Sequence, residues 1–224
     1  MKDVSLFLEQ NCKKSVKQLI IIYGIAIILF GFSFLLNEVN QGIHAIFLII
    51  SLAIIAKVNH DRLKDMVANG ALTRLRLLPV KRAAFCVSEI LFCTISYMGI
   101  FVCLYLAWFA YTAFYLPQMQ GNMFLFTTWS YTVLDFLFSL DVLHIMILLL
   151  YLLTLGINTV GGSLCSAMKR KDISVYSSIC FSYWIIFNVT NVTLVWSLIV
   201  CGLMLLVMAY SLFYINRYLR LIRK

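Results

Sequence analysis

The chain has 224 residues, of which 63% are hydrophobic and 12% charged, with a mean hydropathy of +0.96. Soluble domains are about one quarter charged, so this composition excludes an ordinary water-soluble globule and points to a membrane protein. The net charge of +9 does not imply nucleic acid, because the basic residues form short clusters beside apolar runs, which is a topology signal rather than a binding footprint.

A span takes about 20 apolar residues to cross a ~30 Å hydrocarbon core, so the expected fold is an all-α membrane protein of six transmembrane helices in one domain, residues 1–224. Residues 1–18 are polar, with Val4, Phe7 and Leu8 on one helical side, and are expected to form an N-terminal interfacial helix. The apolar run that follows is too long for a signal-peptide core and lacks an Ala-x-Ala site, so it reads as an uncleaved first span over about 19–36. Span 2 covers about 43–56 and continues as helix into a polar stretch. Span 3 runs from just after Arg82 to about Tyr111. Residues 113–141 are broken by Pro117 and Gly121, and Phe124, Phe126, Trp129, Tyr131, Phe136 and Phe138 make them too aromatic for a free loop. Thr127 or Thr128 is placed to cap a helix through Leu140, too short to span, so an outer interfacial or re-entrant helix is expected between spans 3 and 4. Spans 4, 5 and 6 cover about 142–168, 173–188 and 192–215.

Charge placement orients these spans. All 18 Lys and Arg residues fall in four places: the N-terminal segment (Lys2, Lys13, Lys14, Lys17), the polar stretch 57–82, the turn 169–171 and the tail 216–224. With six spans every one of them lies on one side, while the outer connections carry only Glu38, Asp135 and Asp141. By the positive-inside rule both termini are cytosolic.

The polar stretch 57–82 holds seven Lys or Arg and two Asp (Asp61 and Asp65) and reads as a solvated connection between spans 2 and 3. Asn69-Gly70 ends one helix, Ala71 to Leu77 can form another, and Pro79 stops it. Leu72, Leu75 and Leu78 fall three apart and make an apolar stripe, while Arg74 and Arg76 point elsewhere. Such a short amphipathic helix suits either an interfacial anchor or a docking element for a cytosolic partner.

Gly70, nine residues before Pro79, with Leu78-Pro79-Val80-Lys81-Arg82 opening the next span, resembles the permease subunits of type-2 ATP-binding cassette (ABC) exporters. In that family a Gly-Thr-Leu begins a cytosolic coupling helix that ends in Leu-Pro-Val-Ser-Arg or similar and inserts into a groove of the ATPase subunit. Here the glycine begins Gly70-Ala71-Leu72, its nearest acid is Asp65, and Glu89 stands where the family often has Lys. The short turn between spans 5 and 6 also departs from the family, which often carries its outer helix there. The resemblance implies a coupling helix between spans 2 and 3, with ATPase-coupling residues Asp61, Arg62, Lys64, Asp65, Gly70, Leu72, Arg74, Leu75, Arg76, Pro79, Lys81 and Arg82. It also implies a cytosolic ABC ATPase partner that carries ATP and Mg, and a second permease chain, identical or paralogous, in a bacterial cell membrane.

The chain itself shows no Gly-x-x-x-x-Gly-Lys-Ser/Thr, so no cofactor is expected on it and it is not read as an enzyme. Neither His44, His60 and His144, far apart in sequence, nor the seven cysteines make a metal-ligand pattern. Two intramembrane polar residues stand out. Glu89 is a carboxylate about two turns past Arg82, either functional or paired with Arg82 or Lys81 near the headgroups. Asn158 lies in an inner half of span 4 made small by Gly161 and Gly162. Gly24 and Gly31, seven apart on span 1, are expected at a permease dimer contact. The first functional expectation is therefore an ABC exporter permease for an amphipathic or apolar substrate, such as a peptide or drug-like molecule. The alternative is the membrane-embedded substrate-binding subunit of a vitamin-type importer. An integral membrane enzyme would need Asp, Glu and His clustered at one depth, which the sequence lacks.

Overall fold

A computed structural model describes residues 2–35, 43–68, 82–115, 142–167 and 194–221, and all of them are helical. The helices are α1 (Lys2–Leu35), α2 (Ile43–Ala68), α3 (Arg82–Tyr115), α4 (Val142–Ala167) and α5 (Leu194–Leu221). Four of them, α1, α3, α4 and α5, are long and apolar enough to cross a membrane, which makes this a multi-pass membrane protein. The expected span 5, the coupling helix at 71–77 and the outer helix up to Leu140 lie outside the described residues.

Two departures from the sequence reading concern the polar ends of the helices. Residues 2–18 are not a separate interfacial element; they are the first half of one 34-residue helix that continues into the first span. No proline or glycine interrupts 2–23, so nothing in the local chain ends the hydrogen-bond ladder there. As expected, α2 continues as helix into the polar stretch, up to Ala68; the departure is that these last three turns are not solvated all round. The face formed by Leu52, Ile55, Ala56, Asn59, Leu63 and Met66 keeps helical spacing through the change in composition and stays turned inward.

The bundle is apolar outside and mixed inside. Ile20, Ile28, Ile95, Leu206 and Phe213 are each more than half exposed, whereas Ser33, Ser51, Ser88, Ser96, Thr159 and Ser163 are buried. In water this inversion is unfavourable; against lipid tails it is the expected arrangement. The buried hydroxyls are satisfied mostly within their own helices. Thr94 donates to the Ile90 carbonyl at 2.8 Å, Ser96 to Phe92 at 2.8 Å, Thr154 to Leu150 at 2.7 Å and Ser88 to Phe85 at 2.7 Å.

Helices α1 and α3 run parallel along most of their length. Contacts progress together down both helices: Phe7 on Phe85 edge to face, Asn11 on Glu89, Tyr23 on the Ser96 carbonyl, Phe34 stacked on Tyr111. Gly99 permits the third of these, since a Cβ there would meet the Tyr23 ring at 2.5 Å. A second close approach joins α3 to α4 at Gly156, where a Cβ would lie 3.1 Å from the Ile90 carbonyl and against Thr94. Small residues at such crossings let helix backbones approach within a membrane.

Candidate functional site

The polar side chains inside the bundle gather where α1 and α3 begin and α2 ends. Glu89, on the third turn of α3, is 1% exposed. Arg62 reaches it from α2 with Nη2 at 2.6 Å from Oε2, and its own side chain is 10% exposed. Asn11 on α1 donates from Nδ2 to the other carboxylate oxygen at 2.7 Å. The guanidinium carbon lies 4.5 Å from the centre of the Phe92 ring, one turn along α3, so the ring face supports the cation from one side. Three helices thus meet through one carboxylate.

The surroundings are dry. Cys86 and Cys93, on either side of Glu89 along α3, are 5% and 0% exposed, and Asn59, one turn before Arg62, is 1% exposed. Arg62 Nε and Nη1 and Asn59 Nδ2 are buried and meet no hydrogen-bond partner among the described residues. A buried ion pair in such a place roughly balances its desolvation against its attraction. What it enforces is a single relative placement of α1, α2 and α3.

A second polar chain links α2, α3 and α4. Thr159 donates to the Leu155 carbonyl at 2.8 Å, so its hydroxyl accepts from Tyr97, 2.6 Å away. Ser163 donates to the Thr159 carbonyl at 2.6 Å, and its oxygen is hydrogen-bonded to His60 Nδ1 at 3.1 Å. His60 sits half-buried on α2 rather than in a connection. Next to Thr159 on α4, Asn158 is buried and accepts from Ser211 of α5, while its Nδ2 meets no partner among the described residues. Gly161 faces the same Ser211, with a Cβ position 3.4 Å from the serine Cβ.

The expected site residues divide accordingly. Asp61, Lys64 and Asp65 are exposed on the last turns of α2. Arg62, between them in sequence, is turned inward. Gly70, Leu72, Arg74, Leu75, Arg76, Pro79 and Lys81 lie outside the described residues, and Arg82 is the first residue of α3. Glu89 is intramembrane and paired, but its partner is Arg62 from α2 rather than the expected Arg82 or Lys81. The reason is helical: Arg62 follows Asn59 by three residues on the inward face of α2, at the height of the third turn of α3. Gly24 and Gly31 have no atom within 4 Å of a Cβ position, so neither serves a close approach among the described residues. No group of three or more His, Cys, Asp or Glu suited to a metal occurs among the described residues.

Asn11, Tyr97, Thr159, Ser163 and Ser211 escaped the sequence reading. For Asn11 a signal was present: Phe7, Asn11 and Ser15 follow at intervals of four, which continues the packed face of α1 through polar residues. The hydroxyls gave none, since Ser and Thr on a span serve equally to bond their own helix.

Comparison with protein-family models, with curated proteins and with solved structures finds no match to this chain.

Proposed function

We propose that the chain is the permease subunit of an ABC exporter, with six spans and both termini in the cytosol. It moves an amphipathic or apolar substrate outward, paired with a second permease chain and driven by a separate ATPase that holds ATP and Mg. The reading rests first on the pattern Gly70 to Arg82 and on the one-sided placement of Lys and Arg.

One structural observation supports it most. The Arg62–Glu89 pair joins the end of α2 to the start of α3, the two helices that flank the pattern. A docking element that transmits force needs a mounting that moves with it, and while the Arg62–Glu89 pair is closed, supported by Asn11 and Phe92, it supplies one. Pushing on that mounting would move α1, α2 and α3 together. Exposed Asp61, Lys64 and Asp65 then face the partner, and Arg62 serves the mounting rather than the contact.

The test is purification of the full chain from its native membranes, followed by native mass spectrometry. The expected complex contains two permease chains and an ATPase with a phosphate-binding loop. Recovery of a single membrane chain without a second one would overturn the reading and favour the importer-type binding subunit.

A further inference from the structure

We propose that the Asn11–Glu89–Arg62 cluster is a latch: the closed arrangement described above exchanges with an open one in which Arg62 leaves Glu89 and water reaches this end of the α1–α3 seam. The inference concerns the conformations of this chain and does not depend on the permease reading.

Three observations carry it. First, the closed cluster is held with high geometric specificity but incomplete satisfaction. Glu89 receives one bond on each oxygen, yet Arg62 directs Nε and Nη1 into a buried space where no described residue accepts them, and Asn59 Nδ2 beside it is in the same position. The Cys93 thiol lies next to the guanidinium, and sulfur is a weak acceptor. A guanidinium has five donors, so hydration of this one in an open state recovers bonds that the closed state lacks. Second, the pair is near the edge of the dry region. Lys13, Lys14 and Lys17 on α1 and Asp61 and Lys64 on α2 are exposed within about two turns of it, so the path from Arg62 to exposed polar residues is short. Third, along the neighbouring polar chain Tyr97, Thr159, Ser163 and His60 each have a hydrogen-bond partner, and the orphaned donor beside them, Asn158 Nδ2, belongs to a neutral amide rather than a charged group. The two polar groups are thus unlike, and opening is confined to the first.

The native cysteines report on this directly. Cys86 and Cys93 flank Glu89, and both are shielded in the closed state, whereas Cys103, three turns further along α3, is also buried but far from the cluster. Cys12 is exposed and sets the unprotected rate. The full chain in lipid nanodiscs is treated with a membrane-permeant maleimide, and adducts at each cysteine are followed by peptide mass spectrometry. In the wild type, Cys86 and Cys93 react slowly but faster than Cys103. Asn11→Ala, which removes one bond and no charge, raises the rates at Cys86 and Cys93 by about tenfold with Cys103 unchanged. Arg62→Gln raises them further. Should Arg62→Gln not fold, Asn11→Ala alone decides. Unchanged rates at Cys86 and Cys93 would overturn the proposal and leave the cluster a static tie; so would a parallel rise at Cys103, which signals general loosening.

Discussion

At the end where α1 and α3 begin, the seam between them is fixed by a carboxylate, an amide and a guanidinium from a third helix. At the end where they finish, the same two helices meet through the stacked rings of Phe34 and Tyr111, with centroids 5.6 Å apart. Ring stacking tolerates small slides, whereas a carboxylate bonded on both oxygens does not. One seam therefore has a registered end and a compliant end. The contrast teaches where specificity resides in a bundle whose surroundings are as apolar as its core: packing brings helices together, and a few polar contacts choose the alignment.

The largest expected effect comes from breaking the registered end on one side only. Glu89→Ala leaves Arg62 buried without its counter-charge and should cost about 3–5 kcal/mol, measured by reversible unfolding in mixed micelles. The double change Arg62→Met with Glu89→Leu sharpens the point. It should recover most of that loss, because well-packed apolar residues replace a buried pair at little net cost. Failure to recover would mean that the pair contributes strongly to stability as well as to alignment.

Next in size is Gly156→Ala, where the added methyl meets the Ile90 carbonyl and Thr94; a loss of about 1–3 kcal/mol is expected by the same assay. Thr159→Val removes the acceptor of the Tyr97 hydroxyl and should cost about 1 kcal/mol. The smallest effect belongs to Gly24→Ala. Nothing among the described residues lies near that position, so stability should stay within about 0.5 kcal/mol. If a second permease chain packs there, this substitution should instead lower the dimer fraction seen by native mass spectrometry.

Much of the fold was legible because apolar length is a strong signal: the described bounds of α3 and α4 start at or next to their expected positions. The polar ends were harder. Lys13, Lys14 and Lys17 drew attention to solvent, yet Asn11 and Ser15 on the opposite face of the same turns are buried. In the same way, Lys57, Asp61 and Lys64 marked residues 57–68 as solvated while Asn59 and Leu63 continued the inward face. Composition averages around a helix, whereas burial follows its faces. Glu89 was identifiable as a costly intramembrane charge, but its partner was not. Nearness in sequence favoured Lys81 and Arg82, and only the packing of α2 brings Arg62 to it.

The lengths of the helices carry a further consequence, for the bilayer itself. Helices α1 and α3 each have 34 residues and are about 51 Å long, well beyond a hydrocarbon layer ~30 Å thick. The polar first half of α1 can pass beyond the lipid tails, but the apolar stretch of α3, Ala83–Tyr111, is itself about 43 Å long. That helix tilts or thickens the lipid beside it, and α1, packed along it, follows.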